Sequence, residues 1–269
     1  MKNYVNILGI HCGHDSGAAI IQNGKVIAAI NEERIINVKH YLGTPFKSIK
    51  EVFKISKIDP SEIDLISITG IADVSKPSNS DLVPVYAQLY FTWNPITTNK
   101  NSASSFTHYN HMFRNIDEIK NILSEINVPI KEIMFVEHHL AHAATAYYLS
   151  PWNLDEDILV FTSDAAGDGL SSTVSVANKG QINRIKNSET TYYNSLGYSF
   201  YGEITTYLGM KEGDHEYKVM GLAPYGKAEY CYDKIKQIID IDKSNPLKFK
   251  NQMDTFKPLF QVKLHNLLA

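Results

Sequence analysis

Two stretches of this chain spell the same local pattern, and that repetition constrains the fold more than any other feature of the sequence. In the first, the apolar run Ile7-Leu8-Gly9-Ile10 leads through a glycine-containing turn with Asp15 to Ala18-Ala19-Ile20, then through Asn23-Gly24 to Lys25-Val26. In the second, Ile158-Leu159-Val160-Phe161 leads through Asp164-Ala165-Ala166-Gly167-Asp168-Gly169 to Thr173-Val174-Ser175-Val176, then through Asn178-Lys179-Gly180 to Gln181-Ile182. Each reads as strand, polar turn, strand, tight turn, strand. Asn23-Gly24 is the strongest of these signals, because both residues tolerate the positive φ that a two-residue hairpin needs. A true repeat predicts two similar lobes facing each other across a cleft. The simpler alternative is a chance match between two common hairpins.

The rest of the chain alternates helices and strands. Phe46, Ile49, Val52 and Phe53, just after Pro45, have helical spacing over Phe46 to Ile55, and Asp64 to Thr69 reads as a buried strand. From Ala72 to about Thr107 the periodicity fades while Pro77, Pro84 and Pro95 gather. This is expected to be an irregular insertion that packs on something, since a disordered linker is poor in aromatics such as Tyr86, Tyr90, Phe91 and Trp93. Beyond it the sequence predicts a helix near His111 to Ile126, a strand over Glu132 to Val136 and a helix from about His138 to Leu149. A further helix over Ser195 to Tyr207 is expected to bury a stripe of Leu196, Phe200 and Ile204. The expected division is a first lobe over residues 1–150, with the insertion near 72–107, and the beginning of an incomplete second lobe over 151–269.

Composition narrows the function classes. With 269 residues, 43% of them hydrophobic, the chain can bury a substantial core. A formal charge of -3 without a long basic block argues against electrostatic capture of nucleic acid or an anionic membrane. Cys12 and Cys231 are too few for a disulfide framework, no signal-peptide layout is present, and no apolar run approaches the ~20 residues that span a bilayer. The expectation is a cytoplasmic protein with no nucleic-acid and no membrane partner.

The sharpest chemical signal is Glu137-His138-His139-Leu140-Ala141-His142-Ala143-Ala144. Residues four apart share a helix face, so His138 and His142 can offer two imidazoles to one metal while His139 points about 100° away. The alternative is a pair of surface histidines with no ligand. Asp164, at the end of the following strand, is a candidate third ligand if a parallel sheet presents it beside the helix start. Two imidazoles and a carboxylate suit iron(II) or a similar divalent metal, though ligand type alone does not choose.

Other candidates are single residues in turns. His14 and Asp15 occupy the first hairpin turn, where a histidine can donate to an anion or transfer a proton, or merely cap a carbonyl. The duplicated hairpins resemble those of the actin-like ATPase fold, in which these turns face a nucleotide's phosphates. The resemblance implies Asp15, Ser16, Gly167, Asp168 and Gly169 as phosphate-side positions, and turns rich in Gly, Ser and Asp do let backbone N–H groups approach an anion closely. Lys39 is able to hold a phosphate as a point charge, although a solvated surface lysine is its ordinary fate. Glu216 to Gly226, dense in Gly, Pro and aromatics, reads as a structured loop or helix end bordering a cleft, or as a plain packed turn.

The duplicated hairpins resemble the α/β actin-like ATPase (ASKHA, ribonuclease H-like) fold, and several motifs together resemble the N-terminal domain of the carbamoyltransferase family. The segments that carry the resemblance are Ile7-Leu8-Gly9-Ile10, His14-Asp15-Ser16 with Ala18-Ala19, Asn31-Glu32-Glu33-Arg34, Lys39-His40, His138 to Ala144, Ser195-Leu196-Gly197 and Glu216 to Gly226, in the family's order. The resemblance implies that ATP and carbamoyl phosphate form carbamoyl-adenylate, whose carbamoyl group passes to a hydroxyl-bearing small molecule. It implies that His138, His142 and Asp164 bind an Fe(II)-type metal near the nucleotide phosphates. It further implies that His14 and Lys39 belong to the carbamoyl-phosphate side.

Three departures accompany the resemblance. His11-Cys12-Gly13 falls where members vary, and Ala72 to Thr107 has no evident counterpart. Members are also considerably longer, with a further metal-ligating Asp and a YrdC-like domain beyond this region. The resemblance therefore implies an incomplete active site in the isolated chain, whether as fragment, split gene product or subunit with a second polypeptide. Two other functions stay open at this level: a tRNA threonylcarbamoyl transferase-like protein and a noncatalytic nucleotide- or metal-binding module.

Overall fold

The computed structural model describes residues 5–69, 117–168, 170–191, 194–253 and 259–268. The described residues up to His138 form one compact unit and those from His139 onward another. The expected insertion over 72–107 and the expected helix start at His111 lie outside the described residues.

The first unit is built on an alternation of apolar and small residues. β1 (Asn6–His11) buries every second residue, and its Leu8 and Ile10 are 0% and 2% exposed. It pairs antiparallel with β2 (Gly17–Gln22), which pairs antiparallel with β3 (Lys25–Asn31). The turn between β2 and β3 has Asn23 at φ 51° and Gly24 at φ 76°, the left-handed pair a tight hairpin needs. On its other edge β1 runs parallel to β4 (Leu65–Thr69), with Leu8 opposite Ile66, and β4 runs parallel to β5 (Ile133–Val136). The result is a mixed five-stranded sheet in the order β3-β2-β1-β4-β5.

A short helix α1 (Glu33–Ile36) follows β3, and α2 (Phe46–Ser56) places Ile49, Val52 and Phe53 in the core with Leu8, Ile10, Ile20, Ile66 and Ile68. A third helix, α3, covers 117–125 and adds Ile119, Ile122 and Leu123. Burying each such side chain stabilises the unit by roughly 1.5–3 kcal/mol relative to exposure. Helix α2 has no side-chain cap of its own at Pro45. Instead the buried carboxylate of Glu32 accepts from the amides of Lys47 and Ser48 at 3.1 and 2.7 Å, supplying partners for first-turn N–H groups.

β5 leads through Glu137 into α4 (His138–Tyr148). The second unit then opens on an antiparallel meander of β6 (Ile158–Gly167), β7 (Leu170–Asn178) and β8 (Gln181–Arg184), with the short β9 (Thr190–Thr191) also on β7. The β7–β8 turn has Lys179 at φ 48° and Gly180 at φ 75°, nearly the values of Asn23 and Gly24. Asp15 in the β1–β2 turn and Asp168 in the β6–β7 turn are also both left-handed, at φ 59° and 50°. The repeated sequence pattern thus extends to backbone conformation at corresponding turns.

Two expectations need correction here. The strand beginning at Ile158 does not end at Asp164 but continues to Gly167, its register with β7 shifting between Ser163 and Gly167. Its partner β7 is antiparallel, so no parallel neighbour flanks Asp164 among the described residues. The helix expected over Ser195 to Tyr207 starts instead as a π-turn at Gly197–Tyr201 and becomes α-helical in α5 (Gly202–Tyr207). The wider turn changes the angular spacing. Phe200 and Ile204 pack against Ile238, Phe260 and Leu264, whereas Leu196 is outside that cluster.

The segment after Leu208 carries α6 (Glu216–Leu222), α7 (Tyr232–Lys236), the hairpin β10 (Ile239–Ile241) with β11 (Phe249–Asn251), and α8 (Leu259–Leu268). Phe260 and Leu264 of α8 are buried, which gives this part a core of its own. No described helix is long and apolar enough to cross a membrane.

Candidate metal centre

Helix α4 presents its histidines because of what it buries. His139, Ala143 and Tyr147 form its interior stripe, and Ala143 and Tyr147 pack with Ile158, Val160 and Ala177. Fixing that stripe turns His138 and His142, one position earlier in each turn, away from the core. His138 is half-buried and His142 exposed. Tyr147 locks the far end of the helix, donating its hydroxyl to the Leu154 carbonyl at 2.9 Å while accepting from the Gly180 amide at 3.1 Å.

Asp164 comes to the histidine pair from the irregular part of β6. Its Oδ2 lies 3.3 Å from His142 Nε2, and its Oδ1 accepts from the Ala165 amide at 2.6 Å. Ligand atoms of His138, His142 and Asp164 all lie within 4.8 Å of one another. Two imidazoles and one carboxylate at this separation fit a divalent transition metal with room for further ligands. The structure places these three residues together through a bulge rather than a parallel strand end.

That bulge is buttressed from the segment Ser195-Leu196-Gly197. The buried Ser195 hydroxyl donates to the Ala165 carbonyl at 2.9 Å. A Cβ on Gly197 would lie 2.9 Å from Ala165 Cα, so only glycine lets the π-turn approach the backbone next to Asp164.

The first hairpin turn brings a second group together. His14 Nδ1 lies 2.6 Å from Asp15 Oδ2, and His40 Nδ1 lies 3.3 Å from Asp15 Oδ1. Lys39 is exposed in the turn that carries His40, so the two positions expected on one side of a site, His14 and Lys39, belong to adjoining turns. Ser16 is fully buried, and its amide donates to the Tyr41 carbonyl at 3.2 Å. Gly167 and Asp168 are half-buried at the β6–β7 turn, and Gly169 lies outside the described residues.

A family model of the carbamoyltransferase N-terminus matches residues 6–267. The chain belongs to the carbamoyltransferase N-terminal family. Among its relatives are the nodulation protein NolNO of Sinorhizobium fredii, 30% identical over 85% of this chain and 30% of that protein, and an uncharacterized protein of Methanocaldococcus jannaschii, 28% identical over 81% of this chain and 33% of that protein. The nodulation protein NolO of Bradyrhizobium diazoefficiens is 38% identical over 39% of this chain and 18% of that protein. The chain spans about a third of the length of the first of these curated relatives.

As a carbamoyltransferase N-terminal domain, the chain has residues within its resembling segments whose structural roles the local sequence does not show. Glu32 is one, because a buried carboxylate serving a helix fourteen residues later leaves no local sequence mark. Gly197 is another, since its requirement arises from a strand distant in sequence. Burial, with the Glu118 carboxylate adding, pushes the Cys12 thiol up to about 12, which disfavours its thiolate near neutral pH. The segment Glu216 to Gly226 is helix α6 followed by a 3₁₀ turn, with Tyr217, Met220 and Tyr225 exposed rather than packed.

Proposed function

We propose that this chain is the N-terminal part of an ATP-dependent O-carbamoyltransferase, which forms carbamoyl-adenylate from carbamoyl phosphate, ATP and water with release of phosphate and pyrophosphate, and passes the carbamoyl group to a small-molecule hydroxyl with AMP as the leaving group. The observation that carries this reading is the convergence of His138, His142 and Asp164 within a carbamoyltransferase N-terminal domain. These three residues would hold an Fe(II)-type divalent ion. Such an ion supplies positive charge to offset charge developing on phosphate oxygens.

The remaining roles fall to the chain itself. His14 and Lys39 would orient carbamoyl phosphate, the lysine as a cation and the histidine as a hydrogen-bond or proton donor. The turns at Asp15 and at Gly167–Asp168 would face the nucleotide phosphates. An actin-like, duplicated architecture is favoured by the β3-β2-β1-β4-β5 order and by the matching left-handed aspartates, Asp15 and Asp168. Excluding water around the mixed anhydride would protect it from hydrolysis. A second polypeptide or further domain is the expected source of the remaining contacts.

The test is isotope exchange between pyrophosphate and ATP by the natural full-length protein. Exchange that requires carbamoyl phosphate and falls at least about tenfold in Lys39→Ala supports the reading. Exchange independent of carbamoyl phosphate, or none at all, rejects it.

A further inference from the structure

His14, Asp15 and His40 form a second group with the chemistry of a metal site, on a different part of the chain from the centre above. Ligand atoms of all three lie within 4.8 Å of one another. The two imidazoles are stacked, 5.0 Å between centroids and 22° between planes, so that both Nδ1 atoms approach the same carboxylate, one at each oxygen. Two nitrogens and a carboxylate oxygen make the three-ligand set that leaves a coordination position open for water or an anion.

The surrounding backbone holds this arrangement in place. Residues 14–16 and 40–42 are laced together by the Ser16 N–H to Tyr41 carbonyl bond and by an antiparallel bridge between His14 and Leu42. The His14 carbonyl lies 3.0 Å from His11 Nε2, the Asp15 carbonyl accepts from Asn31 Nδ2 at 3.3 Å, and the His40 amide donates to Glu33 Oε2 at 3.1 Å. Asp15 and His40 both sit at positive φ, 59° and 55°, an uncommon conformation that these contacts maintain. Three ligating groups are thus fixed from two separate loops, the arrangement a metal site needs before the ion arrives.

We propose that His14, Asp15 and His40 form a second binding site for a divalent transition metal ion, separate in its ligands from His138, His142 and Asp164. The ligand atoms are both Nδ1 atoms and an Asp15 carboxylate oxygen, which leaves His14 Nε2 and the Asp15 backbone for the substrate roles proposed above. The ion replaces the imidazole–carboxylate hydrogen bonds with coordination, and its open position takes water or the oxygen of a phosphate-type anion. The ligand class follows from the donors: borderline ions such as Zn²⁺ and Co²⁺ match imidazole and carboxylate, whereas Ca²⁺ and Mg²⁺ favour all-oxygen sets.

Co²⁺ titration of the metal-stripped full chain, read by visible absorption and by calorimetry, tests this directly. Asn tolerates positive φ, so His40→Asn and Asp15→Asn remove a ligand while keeping the turns. The expected result is two ions per chain in the wild type, with one lost in His40→Asn or Asp15→Asn and the other lost in His142→Ala. A single ion lost in His40→Asn and kept in His142→Ala supports this site while rejecting the first centre. A single ion lost only in His142→Ala, a two-ion isotherm unchanged by His40→Asn, or no binding at all overturns the proposal.

Discussion

His139 Nδ1 lies 2.9 Å from the hydroxyl of Thr162, and that hydroxyl meets Thr173 Oγ1 at 2.7 Å. The first turn of α4 is thereby tied to β6 and β7 through buried polar groups, on the same turn that carries His138. Thr162→Val keeps the shape and removes the hydroxyl, leaving buried groups short of a partner at a cost of about 1–3 kcal/mol. Urea denaturation should show a lower midpoint with an unchanged slope. Because His138 and His142 ride on the same helix, Co²⁺ affinity at that centre should also fall.

His142→Ala should weaken Fe²⁺ or Co²⁺ binding at the His138 and Asp164 centre by at least about tenfold, since it removes a direct ligand where even supporting contacts are worth that much. His142 is exposed, so the fold should keep its thermal midpoint. Calorimetry on the metal-stripped protein reads both, and an unchanged affinity would refute the assignment.

Gly197→Ala tests the buttress behind Asp164. The new methyl meets Ala165 Cα at 2.9 Å, and a backbone atom has little freedom to retreat. A loss of about 1–3 kcal/mol is expected from such overpacking. Thermal melts would report it, and a variant as stable as the wild type would show that the π-turn does not rely on this approach.

The two thiols should behave differently. Cys231 is exposed, while burial raises Cys12 to about 12. A thiol-specific chromogenic reagent near pH 8 should label one cysteine per folded chain and both after unfolding. The folded pKa of Cys12 lies above its ordinary value of 9.0, so the stability linked to its protonated form is intact below pH 9 and is lost as pH rises toward 12. Unfolding measured across that range should fall less steeply in Cys12→Ala.

Local chemistry was the most legible part of the sequence. Asn23-Gly24 foretold the hairpin between β2 and β3, and the four-residue spacing of His138 and His142 foretold their shared face, because each depends on residues near one another along the chain. What escaped depends on residues distant in sequence. Asp164 lies beside His142 through a bulge in β6 and not through the parallel strand neighbour expected from the sequence. The π-turn at Gly197 has no local signature and displaces Leu196 from the expected stripe.

The parallel pairing of β4 with β5 joins Thr69 to Val136 across the connection that contains α3 and the residues from 70 onward. Closing such a connection costs chain entropy that grows only with the logarithm of its length, about 0.6 kcal/mol for each doubling. Homologues are therefore free to lengthen or trim this crossover at small thermodynamic penalty, whereas the two-residue turns at Asn23-Gly24 and Lys179-Gly180 permit no such change without breaking strand register. Length variation among family members should concentrate between β4 and β5.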